Sequence, residues 1–206
     1  MERQNRSKRK NATKSYYWIF YLVPIVIVLT FLIVFICISN SKSRNIDPKL
    51  AEQYPIRFEE YVKKYSKEFG VDEILIYTVI RTESAFDADA GSGAGARGLM
   101  QIMPSTFEWL QNQLDGEVTM GEDALYDPAT NIKYGTYLLK FLLDRYKSER
   151  TALIAYNAGF SQVDEWLKDR RLSSDGVEIE NIPIEETREY IKKVYEIKDI
   201  YKKLYF

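Results

Sequence analysis

Between Lys14 and Lys42 the chain carries no charged side chain, and Tyr16–Ile38 within that interval is almost wholly aliphatic and aromatic. As a helix rising 1.5 Å per residue, this run is long enough to cross a hydrocarbon core of about 30 Å. Tyr16, Tyr17, Trp18 and Tyr21 cluster at its start, where an aromatic interface belt lies. Pro24 falls near the first turns and is tolerable there. Residues 1–38 hold six cations (Arg3, Arg6, Lys8, Arg9, Lys10, Lys14) against one acid, Glu2. That net of +5 leaves −6 for the remainder of a chain whose total is −1. The positive-inside rule then puts residues 1–15 in the cytoplasm as a basic tail, 16–38 in the bilayer as a single-pass signal anchor, and the rest outside.

Two other readings of the run fit less well. A cleaved signal peptide has a shorter apolar core and a small-residue cleavage site, and no A-x-A pattern follows this one. A lipoprotein would acylate Cys37, but Phe35 and Ile36 are too bulky for a lipobox. Cys37 reads as a small apolar residue in the span. The basic run beside the span is a topology signal, and the acidic remainder offers no face for a phosphate backbone, so nucleic acid is not expected as a partner.

The chain contains no histidine. Ser-His-Asp and Cys-His nucleophile systems are therefore excluded, with every His-ligated metal site. A single cysteine excludes internal disulfides and Cys-based zinc sites as well. Neither a metal nor a cofactor is expected. Acid–base chemistry falls to carboxylates, tyrosines and lysines.

Residues 39–55 are polar, with Pro48 and Pro55, and read as a linker; 56–206 form one domain with a real core. That domain reads as successive helices. Arg57–Phe69 is amphipathic and stops at Gly70. Asp72 caps a second helix, with Ile76, Ile80 and Glu83 on one face at i, i+4 and i+7. Pro104 opens a helix to about Leu114, and Asp127-Pro128 caps a long one to about Tyr146. Glu149–Ala158 ends at Gly159, Ser161 caps Ser161–Lys168, and Glu185–Leu204 closes the chain. Ser173–Asn181 reads as a polar loop with a short β excursion. Strand signals are scarce, so the class is mainly α.

Glu83 is a carboxylate at the end of an apolar helix, where the macrodipole disfavours its charge. Burial there can hold it protonated near neutral pH, as a general acid requires. Two-carboxylate glycosidases need a second acid about 5–10 Å away. Asp87 and Asp89 are the nearest in sequence, and Asp87 reads better as the brace of a turn. Gly93-x-Gly95-x-x-Gly98 formally matches the dinucleotide fingerprint, but a helix comes before it where that motif needs a strand. The glycines read instead as letting the backbone pass close to a bound chain.

Four segments line up: Glu83-Ser84 with Phe86; Ser92 and the block Gly95 to Pro104 (GARGLMQIMP); Ala155-Tyr156-Asn157-Ala158-Gly159; and Ile182-Pro183 through Glu186-Thr187-Arg188 to Tyr190. In this order they closely resemble the soluble lytic transglycosylase family, over roughly residues 56–200. The resemblance implies a goose-type lysozyme-like helical domain, here preceded by a single transmembrane helix. It implies cleavage of the β-1,4 bond between N-acetylmuramic acid and N-acetylglucosamine in peptidoglycan glycan strands, leaving a 1,6-anhydromuramic acid end. Glu83 is then the sole acid/base, with the substrate's N-acetyl group assisting. Ser92 matches a serine that hydrogen-bonds near the carboxylate. Gln101 and Met103 match residues that line the saccharide site. Tyr156 and Asn157 match a pair whose tyrosine hydroxyl lies beside the acid. Tyr190 and Glu186 match a C-terminal motif of substrate binding; Ile184 stands where the family usually has an aromatic, and Glu185 competes with Glu186 for its role. The residues leave open a lysozyme-like muramidase that uses water, or a non-enzymatic wall-binding scaffold on the same fold.

Overall fold

The computed structural model describes residues 17–40 and 48–206. The basic tail 1–15 and linker positions 41–47 lie outside the described residues. The chain divides after Asn45 into two units. In the first, α1 (Tyr17–Asn40) is one continuous 24-residue helix with Pro24 inside it. Its described side chains, Leu22 to Ile33, are all exposed and, apart from Thr30, whose hydroxyl donates to Ile27 O, apolar. Among the described residues no helix is long and apolar enough to cross a membrane.

The second unit contains α2 (Pro48–Gln53), α3 (Glu59–Phe69), α4 (Glu73–Glu83), α5 (Pro104–Leu114), a 3-10 turn (Glu122–Tyr126), α6 (Pro128–Tyr146), α7 (Glu149–Ala158), α8 (Phe160–Lys168) and α9 (Glu185–Tyr205). Its helices start and stop where local chemistry dictates. Gly70 ends α3 in the left-handed conformation. The Asp72 carboxylate accepts from Ile74 N at the start of α4, Asp127 accepts from Thr130 N ahead of Pro128, and Ser148 accepts from Thr151 N. Most of α4 is buried, including Leu75, Ile76, Tyr77, Val79 and Ile80. α9 lies along it with Tyr190, Ile191, Val194, Ile197 and Tyr201 turned inward, and α3 also packs against it. α6 packs on α3 and α7.

Three local expectations are corrected. Ser161 does not cap α8; Gly159, at φ +87°, both ends α7 and precedes α8, so the new helix already begins at Phe160. Residues 173–181 contain no strand. They are bent around Asp175, whose carboxylate accepts from Val177 N and Glu178 N, and are tied down by Thr151 Oγ1 donating to Val177 O. Within the stretch read as linker, Pro48–Gln53 forms a helix that joins the second unit. Arg81 Nε donates to Gln53 O, Tyr201 to Pro55 O and Tyr205 to Tyr54 O.

The glycine-rich segment after α4 folds back on itself through two isolated bridges, Gly91 with Arg97 and Arg97 with Ile102. It is preceded by a helix, so the dinucleotide fingerprint is ruled out by context. What fixes it is Asn131 on α6, which is fully buried. Its Oδ1 accepts from Met100 N (2.8 Å), and its Nδ2 donates to Arg97 O (2.9 Å) and Leu125 O (2.8 Å). Met100 then seats on Gly135 one turn along α6, where a Cβ would stand 2.3 Å from Met100 Sδ. Gly98 is required by the protein's own packing: at φ +72°, a Cβ would lie 2.1 Å from Leu125 O. Arg97 clamps the outer edge on Glu122 and Asp123, each at 2.7 Å.

Gly98→Ala is expected to cost at least about 3 kcal/mol, combining backbone strain with overpacking. Gly93→Ala, with nothing within 4 Å of the new Cβ, is expected to stay within about 0.5 kcal/mol of wild type. Asn131→Ala leaves a buried N–H and two carbonyls without their partner and is expected to cost about 3 kcal/mol. Denaturant unfolding midpoints of the three variants check this ranking.

Candidate active site

Ile76 and Ile80 are fully buried, and the same helical face carries Glu83 out to the last residue of α4. Glu83 itself is half-buried. The chain leaves the helix through a tightly held corner. Ser84 N donates to Ile80 O, and Ser84 Oγ bridges to Leu99 O at 2.8 Å, stitching the helix end to the glycine-rich loop. Ala85 (φ 53°) and Phe86 (φ 68°) follow in the left-handed region, and Gln101 across the corner has φ 48°. Non-glycine residues rarely adopt this conformation, and each such residue costs on the order of 1–3 kcal/mol. The Phe86 ring, 3% exposed, is buried beside Tyr77 and holds the corner in place.

Burial pushes the Glu83 carboxyl up to about 7, while the Tyr190 hydroxyl and the Lys193 charge pull the other way. Near neutral pH the group can therefore carry a proton and give it up. Tyr156 and Tyr190 are held well above the ordinary tyrosine value by their own burial, reinforced by the charge of Glu83, so both keep their protons. The Tyr190 hydroxyl is buried with no partner at full hydrogen-bond geometry. The Glu83 carboxyl is the group it faces. Lys193, one turn further along α9, donates from Nζ to the Thr82 carbonyl at 3.0 Å.

The seven other residues singled out from sequence fall in different roles. Tyr156 and Tyr190 are brought to Glu83, but the Tyr156 hydroxyl donates to Met100 O at 2.7 Å and does not bond the acid directly. Asn157 Oδ1 accepts from Thr187 Oγ1 at 2.8 Å, tying the end of α7 to the first turn of α9. The Gln101 amide already donates to Gly98 O (2.9 Å) and Ala90 O (3.1 Å), which leaves Oε1 as its outward group. Ser92 is exposed and accepts from Ala96 N, closing its own turn; no hydrogen bond joins it to Glu83. Met103 is 38% exposed, so its thioether is not core. Glu186 is exposed in the first turn of α9, whereas Glu185 pairs with Arg188. Asp87 braces a turn through Asp89 N (3.0 Å), and both aspartates are exposed.

Tyr156 also lines an open cavity of about 380 Å³ with Thr106, Leu138, Gly159, Phe160 and Gln162. A larger one, about 550 Å³, shares no residue with it; there the hydrogen bond from Arg145 holds Asp164 below the ordinary carboxylate range. Among the described residues no group of three or more acids or cysteines could hold a metal. Lys193 and Asn131 were missed from sequence. Lys193 stands three residues after Tyr190, a helical spacing that puts both on one side of α9; Asn131 carried no signal.

Because folding raises the Glu83 pKa above its ordinary 4.5, the protonated form is the one folding favours. That contribution is whole below about pH 4.5 and is lost as pH rises through about 7. Glu83→Gln, which stays neutral, is expected to match wild type at about pH 4. At about pH 8 it is expected to be more stable by on the order of 1–3 kcal/mol. Thermal melts at the two pH values check the sign.

The Transglycosylase SLT domain model matches residues 60–177. The chain is 33% identical over 147 residues to the soluble lytic murein transglycosylase of Salmonella typhimurium, covering 70% of this chain and 23% of that protein. It is 36% identical over 130 residues to the membrane-bound lytic murein transglycosylase C of Glaesserella parasuis, covering 56% of this chain and 35% of that one. A crystal structure of an inactive mutant of lytic transglycosylase Slt from Pseudomonas aeruginosa superposes with a TM-score of 0.65 at 34% identity, covering 75% of this chain and 25% of that one. The chain thus spans about a quarter of the length of the soluble relatives it matches. With its family model covering more than half of the sequence, and the fold shared with a solved relative, the chain belongs to the Transglycosylase SLT domain family.

Proposed function

We propose that this chain is a peptidoglycan lytic transglycosylase that uses Glu83 as its only general acid and base. The carrying observation is a single carboxyl pushed up to about 7 whose charged and polar influences are a tyrosine and a lysine, with no second carboxylate among them. Protonated Glu83 gives its proton to the oxygen of the β-1,4 bond between N-acetylmuramic acid and N-acetylglucosamine, and the C1–O bond breaks. The muramoyl N-acetyl carbonyl supports the anomeric carbon in place of a protein nucleophile, a substrate-assisted exception to the two-carboxylate scheme. The C6 hydroxyl then attacks C1, and the Glu83 carboxylate takes its proton. Glu83 ends as it began, and no water is consumed.

Around that step, the Tyr190 hydroxyl faces the acid and supports its ionised form, and Tyr156 holds the Met100 carbonyl that closes the corner. Gln101 presents Oε1, Met103 an exposed thioether, and Asn157 and Glu186 polar groups at the ends of α7 and α9. We assign these four, with Ser92, to contact with the glycan. The family relatives named for murein supply the substrate class.

Residues 16–38 complete the reading as a bilayer anchor with the N-terminus in the cytoplasm and the catalytic domain outside. Its support is the uncharged run itself and the basic residues ahead of it. A relative named membrane-bound accords with membrane association, without bearing on orientation.

Digests of purified peptidoglycan by the full chain in detergent test the chemistry by mass spectrometry. Products ending in anhydromuramic acid, about 18 Da (one water) lighter than reducing ends, are expected, and Glu83→Gln should lose activity roughly a thousandfold. Reducing ends alone would convert the reading to a muramidase that uses water; an active Glu83→Gln would remove Glu83 from the chemistry. Protease added outside intact cells should degrade the domain and spare the basic tail.

A further inference from the structure

Lys193 has no place in the motifs that point to the family, yet it touches the acid's own peptide. α9 lies along α4, and Lys193 stands one turn beyond Tyr190. Its Nζ donates at 3.0 Å to the carbonyl of Thr82, the residue immediately before Glu83. That carbonyl is one of the last four of α4, which have no partner inside the helix and form the negative end of its dipole. An ammonium at this point answers both the unpaired carbonyl and the unfavourable field on the carboxyl.

We propose that Lys193 is a positioning residue for Glu83: it pins the last turn of α4 and, by its charge, sets the upper edge of the pH range in which the acid works. The inference rests on the reading of Glu83 as the general acid. The groups facing the carboxyl are Tyr156 from α7 and Tyr190 and Lys193 from α9. From α3, Glu59 acts on Tyr77, six residues before Glu83. On the loop, Asp87 and Asp89 are exposed, and Arg97 is engaged by Glu122 and Asp123. Lys193 is thus the one cation with a direct influence on the acid among the described residues.

The sign follows from that charge. Lys193 favours the ionised carboxyl, so removing it holds the proton on Glu83 to higher pH. It also leaves less support for the carboxylate that must form when the glycosidic oxygen takes the proton. Lys193→Met is therefore expected to move the alkaline limb of the pH–rate profile upward by at least about half a pH unit, a modest shift because the lysine is solvent-exposed. Its rate on the acid side of the limb should fall several-fold.

Two further variants separate charge from capping. Lys193→Gln keeps a donor for the Thr82 carbonyl without the charge and should shift the limb as Lys193→Met does. Lys193→Arg keeps both and should leave the limb at its wild-type position. Full-length chains in detergent, with folding checked by circular dichroism, would be assayed on purified peptidoglycan across the pH range. A limb that stays in place in Lys193→Gln, whatever the rate, overturns the proposal and leaves Lys193 a cap; this arm decides even if Lys193→Met does not fold. Failure of the parent reading looks different: the wild type itself would release no anhydro-ended products.

Discussion

The last turn of α4 ends against packed structure, and a helix end placed there must have its carbonyls met by groups from elsewhere. Two of these carbonyls are met in this way, and two carbonyls of the adjoining loop are tied in with them. Ser84 returns to the Ile80 carbonyl and reaches across to Leu99, Lys193 reaches in from α9 to Thr82, and Tyr156 takes the carbonyl of Met100 beside them. Glu83 sits at the centre of this arrangement, on the face that Ile76 and Ile80 hold in the core. Desolvation of its carboxyl is thus a consequence of how the helix ends, and the raised proton affinity follows from it.

Such an end is costly, and the rest of the domain shows how it is held. Ala85, Phe86 and Gln101 adopt left-handed backbone conformations around the acid. The loop that supplies Leu99, Met100 and Gln101 is fixed from behind by Asn131 and accommodated by Gly98 and Gly135. These groups do not reach the acid themselves; they fix the backbone that does. The same logic explains why Gln101 cannot give its amide protons freely to a ligand: they already close the loop.

Much of this was legible in the residues. Helix limits set by Gly70, Asp72, Asp127-Pro128 and Gly159 were readable because caps and breakers act locally. The placement of Glu83 on the apolar face was readable from helical spacing, and its environment from the charge-poor stripe before it. The partners of the site were less so. Asn131 looks like any polar residue in the first turn of a helix until the loop closes over it. Lys193 looks like a solvated lysine, and by exposure it is one, until α9 is laid along α4. Ser92 closes its own turn by accepting from Ala96 N, a local role its spacing did not announce. Ser161 misled as a cap, because Gly159 at positive φ starts α8 earlier than a serine cap would. Long-range pairing, invisible to spacing along one element, accounts for Asn131 and Lys193.

The central claim is that packing at the end of α4 keeps a proton on Glu83 near neutral pH. Its most direct test is a titration of the side-chain carboxyls in protein labelled with ¹³C at the glutamate δ-carbon, the Glu83 resonance being assigned as the one lost in Glu83→Gln. A midpoint near 7 is expected. A midpoint near the ordinary 4.5 would contradict the account, because the group would then be ionised where it must act as an acid.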